Sequence, residues 1–337
     1  HHSNILPWRE SRAEVVEIPE GAEGGVDLAA LEAALLQHAG ADLKIGSFSA
    51  ASNVTGIITD PDPVTRLLRA HGARAVWDYA GGGPYLPIDM GEHGAEPKDA
   101  VVVSPHKFPG GPGASGVLIL RREAVRSTMP SWPGGGTVSF VSPWSHRYAD
   151  SLAAREEAGT PNVVGDIRAA LAFLVKEAVG QEYIEAREAQ YAAKARAAWG
   201  ALPGLTLLGH ESAHRLPIYS FTVRGASGAP VHQQLFTRML SDVYGIQARG
   251  GCACAGPYAH RLLNIGQRQS RAMRAAILDG QEIEKPGWTR LNFSATLSDE
   301  KADAIIHAVR DLAQDPRRFC EGYNVDTATA RFAPKVA

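Results

Sequence analysis

A lysine at the end of an apolar run is the plainest chemical feature of this chain. Val101-Val-Val-Ser104-Pro-His106-Lys107-Phe-Pro-Gly-Gly reads as a buried strand that stops at Ser-Pro and opens into a glycine-rich turn. A lysine held there leaves bulk water and gives up its proton more readily. The neutral amine is what Schiff-base formation with an aldehyde requires. Upstream, Ala73-Arg-Ala-Val-Trp-Asp78 is a second short apolar run, ending in an acid. A carboxylate beside a pyridine nitrogen keeps that nitrogen protonated, so the ring can accept electrons from a substrate carbanion. Taken alone, Lys107 is a solvated surface charge and Asp78 a turn acid or helix cap. Taken together, at the ends of successive strands, they fit the carboxyl edge of an α/β sheet, where such sheets hold their ligands.

Further segments widen the pattern. Ser52-Asn53-Val-Thr-Gly56 precedes Asp78, and Glu157-Ala-Gly-Thr160-Pro161-Asn follows Lys107. The opening His1-His-Ser-Asn-Ile-Leu-Pro-Trp8-Arg matches a Glu-His-His-(Ala/Ser)-Asn-x-x-Pro-Trp motif. In this order the segments resemble the class V aminotransferase family, which contains cysteine desulfurases and selenocysteine lyases. The resemblance runs from residue 1 to roughly residue 310. It implies the fold of fold-type-I enzymes, α/β, and pyridoxal 5'-phosphate as cofactor. Lys107 is then the Schiff-base lysine and Asp78 the partner of the pyridine nitrogen. Ser104 and His106 contact the cofactor phosphate, and both side chains can donate to an anion. Asn53 lies near the cofactor's phenolic oxygen and the substrate carboxylate, and His1 stacks on the pyridine ring. Thr160 donates to the phosphate of a partner subunit, which implies a homodimer with a shared active site. The same residues have plainer readings: a turn hydroxyl for Ser104, a packed histidine for His106, an Asn turn for Asn53, and a helix cap for Thr160.

Later in the chain, Arg249-Gly-Gly-Cys252-Ala-Cys254-Ala matches the family's Arg-x-Gly-x-x-Cys-Ala. The match implies Cys254 as a persulfide-forming nucleophile, with neighbouring glycines for mobility and Arg249 as a cation that favours the thiolate. Otherwise Cys252 and Cys254 are small packing residues. Cys252, Cys254 and His260 offer a metal only three nearby ligands, one short of a closed site. Cys320 reads as structural. Trp288-Thr-Arg290 matches the arginine that clamps the substrate carboxylate, a task suited to the guanidinium fork. The chain departs from the family at Gly81, where members often carry a glutamine, and in the long Arg-bearing stretch between Pro257 and Arg290.

The function implied is that of a pyridoxal-phosphate enzyme acting on an amino acid, with C–S cleavage and a persulfide on Cys254. A sulfur-acceptor protein is its expected partner. The rival reading is a class V aminotransferase or other lyase whose cysteine only packs. Another class of reading is a cofactor-poor fragment that binds a partner. In the family a segment carrying a phosphate-binding helix start precedes the His-His motif, so the N-terminal part of the fold is expected to be missing from this chain.

Strand and helix patterns alternate around these motifs. Ala13–Pro19 reads as a strand, 26–39 as a helix with Leu28, Leu31, Leu35 and Leu36 on one face, 43–50 as a strand, and 62–71 as a helix closed by Gly72. Strands at Ala75, Val101 and Gly116–Leu120 complete a mostly parallel sheet. Trp132–Trp144 reads as a long loop. A large cofactor-binding domain is expected over 1–180, a linking helix over 181–200, a smaller α+β domain over 201–323 and a loose tail over 324–337.

Composition sets outer bounds. The chain has 337 residues, enough for two domains, and is 45% hydrophobic and 21% charged. Its formal net charge of -2 gives no field for nucleic acid or an anionic membrane. The apolar runs are strand-sized and too short to span a bilayer. Three cysteines without framework spacing indicate a reducing compartment, read as the cytoplasm.

Overall fold

The computed structural model describes residues 1–92 and 94–335. The chain forms two compact units. One comprises Leu28–Ala50 and Asp60–Gln181; the other comprises His1–Asp27, Ala51–Thr59 and the chain from Glu182 onward.

In the first unit a four-stranded sheet runs in the order Ile45–Ser49, Arg74–Asp78, Ala100–Val103, Val117–Leu120. The first three strands are parallel and the last is antiparallel to its neighbour. Helix Pro61–Ala70 lies between the first two strands in sequence, as parallel pairing requires. Asp60 caps it by accepting from the Asp62 amide at 3.0 Å, and Val64, Thr65 and Leu68 form its buried face. The Thr65 hydroxyl accepts from the buried Trp77 indole at 2.9 Å, so a polar group inside the apolar layer is satisfied. Gly46 allows the helix to come close, because a Cβ there would stand 2.5 Å from the Leu68 side chain. Buried Asp99 takes the Arg74 guanidinium at 2.7 Å and the Ala75 amide at 2.8 Å. That carboxylate ties the start of the third strand to the second, and so sets the register of everything at their carboxyl ends.

In the second unit all strand pairs are antiparallel, in the order Arg249–Gly251, Trp288–Asn292, Ile218–Arg224, Leu205–Leu207, with Pro230–Val231 also against Ile218–Arg224. Tyr191, Trp199, Phe221, Phe236, Met239 and Phe293 fill its core. Segment 51–59 is pinned to this sheet unit. The Ser220 hydroxyl donates to the Val54 carbonyl at 2.6 Å, and the Leu216 amide donates to the Gly56 carbonyl at 2.9 Å.

Several local expectations change. Residues 13–19 form no strand, and no sheet among the described residues includes them. Of the four leucines expected on one face of the first long helix, observed as Leu28–Gln37, only Leu31 and Leu35 are buried. The Trp132–Trp144 stretch includes the strand Val138–Val141, which pairs with His146–Tyr148. Helix Gln181–Trp199, expected as a linking helix, buries Tyr191, Ala195 and Trp199 in the second unit's core, with the Trp199 indole on the Ile306 carbonyl at 3.0 Å. Instead of a loose tail, Tyr323–Asp326 and Arg331–Pro334 form a hairpin. Among the described residues no helix is long and apolar enough to cross a membrane.

Candidate active site

The first unit carries the cofactor-type residues. Asp78 is the last residue of its strand, opposite Ser49 on one side and Val102 on the other. Its side chain is largely buried at 8% exposure, and Oδ1 accepts from the Ala80 amide at 2.8 Å. A largely buried carboxylate at the carboxyl end of a parallel strand needs a donor and suits a protonated ring nitrogen. On that observation the residues present fit pyridoxal phosphate.

The next strand ends at Val103 and turns through the short 3-10 helix Pro105–Lys107, in which the Lys107 amide donates to the Ser104 carbonyl at 3.0 Å. Lys107 and His106 are exposed on this turn and Ser104 is half-buried. The plain readings of both phosphate candidates fail locally. The Ser104 hydroxyl does not cap the turn, and His106 is not packed. Thr160 is exposed in the loop before helix Val163–Val179, and the helix is capped by Asn162, whose side chain accepts from the Gly165 amide at 3.3 Å. The helix-cap reading of Thr160 is therefore replaced by Asn162.

The second unit gathers the substrate-type residues. Strand pairing sets Arg249 directly opposite Arg290. Like charges opposed across a ladder repel, so the pair favours an anion between or beside them. Arg290 Nη1 donates to the Asn53 carbonyl at 2.6 Å, and the Asn53 side-chain amide donates to the Ala253 carbonyl at 2.8 Å. The Ser52 hydroxyl, accepting from the amides of Val54 and Thr55, makes the local turn. Asn53 is thus released from the turn role that was its plainer reading.

Cys254 lies three residues past the end of strand Arg249–Gly251, in a tight turn. Ala253 and Cys254 both have left-handed backbone, with φ of 52° and 57°. Left-handed geometry disfavours side-chain-bearing residues by roughly 1–2 kcal/mol each, so the turn persists only because its surroundings fix it. Ala253 and Ala255 are buried with Val54, Leu208, Ala259 and Trp288. The Cys254 carbonyl accepts from the His2 amide at 2.8 Å. Arg249 Nη2 donates to Cys254 Sγ at 3.7 Å. Alanines flank the sulfur-bearing residue, and packing and hydrogen bonds hold the turn in this structure.

His1 is exposed, with Nδ1 accepting from the Ser3 amide at 3.1 Å. His260 is spoken for, its ring nitrogens paired with the Gly256 carbonyl and the Ser270 hydroxyl, each at 2.8 Å. Among the described residues no group of His, Cys, Asp or Glu side chains could hold a metal ion. Sequence reasoning missed His2. Its signal was its place in the His-His motif beside a residue already singled out.

Known proteins are similar to this chain in sequence and fold. A family model described as aminotransferase class V matches residues 1–281. A probable cysteine desulfurase from Vibrio cholerae is 31% identical over 92% of this chain and 68% of its own length. A cysteine desulfurase from Synechococcus elongatus is 30% identical over 77% of this chain. The matched part is 40% of that protein's length, and 41% for a probable cysteine desulfurase of Mycobacterium leprae. Among solved structures, the apo cysteine desulfurase of Thermococcus onnurineus superposes with a TM-score of 0.74 at 24% identity, covering 93% of this chain and 70% of that one. A cysteine desulfurase from Escherichia coli gives a TM-score of 0.70 at 25% identity, over 92% and 69%. The fold is that of fold-type-I enzymes, and the chain belongs to the class V aminotransferase family.

Proposed function

We propose that this chain is the cofactor- and substrate-binding part of a pyridoxal-phosphate enzyme that removes sulfur from L-cysteine. The observation that carries the reading is the turn at Cys254, tied through Ala253 and Asn53 to Arg290, with Arg249 on the sulfur. When bound, the cofactor supplies the electron sink that lets a substrate carbanion form. Lys107 would hold it covalently and, once released, take the substrate α-proton. Asp78 would keep its ring nitrogen protonated, while Ser104, His106 and a partner subunit's copy of Thr160 would hold its phosphate. His1 would stack on the ring. Asn53 and Arg290 bind the substrate carboxylate. The Cys254 thiolate attacks the substrate sulfur: an S–S bond forms, the Cβ–S bond breaks, and the carbon keeps the electron pair and is protonated. Alanine leaves, and Cys254 remains as a persulfide for an acceptor protein.

A homodimer is supported by helix Val163–Val179, which leaves Val163, Val164, Ile167, Leu171 and Leu174 exposed on an apolar face. Free thiols at Cys252, Cys254 and Cys320 support a reducing compartment, the cytoplasm. A second reading, an aminotransferase or lyase in which Cys254 only packs, is favoured by Gly81, which lacks any side-chain donor to tune the cofactor.

The test is the visible spectrum of the protein incubated with pyridoxal phosphate, beside a Lys107→Ala control, followed by L-cysteine. A band present only with Lys107 and altered by cysteine supports the proposal. A spectrum identical in both proteins contradicts it.

A further inference from the structure

We propose that His2 is a positioning residue for the Cys254 thiol, a role that rests on reading Cys254 as the sulfur-accepting nucleophile. His2 holds the turn at two points just after the thiol-bearing Cα. Its backbone amide donates to the Cys254 carbonyl at 2.8 Å. Its ring Nε2 accepts from the Gly256 amide at 2.9 Å. Gly256 opens helix Gly256–Leu262, so its amide is one of the donors that a helix leaves without an internal partner. No side chain of the helix's own N-cap, Ala255, can fill that place, and the histidine does so from the far end of the sequence.

The two contacts matter because of the backbone just before them. Ala253 and Cys254 stand in left-handed geometry at φ 52° and 57°. Such a pair relaxes toward ordinary backbone unless its ends are held. One end is held by Asn53 on the Ala253 carbonyl, the other by His2 on Gly256. Gly256 also lacks the Cβ that would crowd the contact, since one built there would lie 3.2 Å from Nε2. The sulfur direction is therefore fixed by a histidine that touches neither sulfur nor substrate. The contact requires a ring nitrogen with a free lone pair, which a glutamine carbonyl can replace and an alkyl group cannot.

The experiment compares His2→Ala, His2→Leu and His2→Gln with wild type and Cys254→Ser in the full chain. Sulfide release from L-cysteine is measured as kcat and KM, and alkylation of Cys254 by iodoacetamide is followed by peptide mass. Misplacing the thiol is expected to lower kcat about tenfold or more in the Ala and Leu variants, with KM within about twofold of wild type. Both variants should also alkylate at Cys254 at a rate changed by about threefold or more, and His2→Gln should recover most of both properties. Wild-type kcat and alkylation rates in His2→Ala or His2→Leu, with Cys254→Ser inactive, would overturn the positioning role alone. Full sulfide release by Cys254→Ser would remove the nucleophile reading, and the role of His2 with it.

Discussion

The side-chain amide of Asn53 donates to the carbonyl of Ala253 at 2.8 Å, joining residues 200 apart in sequence. The bond binds a segment near the start of the chain to the turn that carries Cys254. Because Arg290 in turn donates to the Asn53 carbonyl, one residue ties both Arg290 and the thiol-bearing turn. Asn53→Ala is expected to lower stability by about 1–2 kcal/mol, the usual consequence of leaving a part-buried acceptor unsatisfied. Urea unfolding measures it, and an unchanged midpoint would show that the bond contributes nothing to stability.

Gly56 is the hinge of the same segment. Its φ is +73°, and a Cβ would stand 2.7 Å from the Leu216 carbonyl and 3.0 Å from that of Ile218. Gly56→Ala must therefore both strain the backbone and push the segment off its strand. A loss of about 2 kcal/mol or more is expected, read as a lowered denaturation midpoint. A neutral substitution would mean that the 51–59 docking is looser than described.

The Asp99 carboxylate tests the other unit. It is 2% exposed and satisfies both the Arg74 guanidinium and the Ala75 amide. Removing it leaves a cation and a buried donor unpaired, so Asp99→Ala is expected to cost about 3 kcal/mol. Asp99→Asn retains an acceptor and should fall between the two. Chemical denaturation of the three proteins supplies the comparison.

How much of this was legible beforehand depended on whether a residue's partner was local. Asp78 and Lys107 could be read because an apolar run followed by a polar turn marks a strand end whatever else surrounds it. Helix 61–70 was legible from its cap and period. Residues 13–19 carry an apolar strand pattern, but a strand exists only in a ladder, and no sheet among the described residues includes them. The tail was misread for the opposite reason: its pairing lies within itself, between Tyr323–Asp326 and Arg331–Pro334, and its polar composition concealed it. The thiol turn escaped because two alanines beside glycines suggest freedom, whereas burial of Ala253 and Ala255 fixes them. His2 could not be found by periodicity at all, since its contact partner is Gly256.

The cysteines should separate by reactivity. Burial pushes the Cys320 thiol above its ordinary value, so at a given pH less of it is thiolate and its alkylation sets in only at higher pH. At neutral pH iodoacetamide is expected to modify Cys254, which lies under the Arg249 guanidinium, well before Cys320. Timed alkylation with peptide mapping gives the order. Faster modification of Cys320 would contradict the burial described for it.

The most direct test of the central claim is the product of L-cysteine turnover by Cys254→Ala, measured as sulfide and alanine beside wild type with the cofactor spectrum recorded for both. The variant is expected to bind cofactor with an unchanged spectrum yet release neither product above the Lys107→Ala background. Wild-type sulfide release from Cys254→Ala, or turnover of a different amino acid untouched by the change, would contradict it and leave Cys254 as a packing residue.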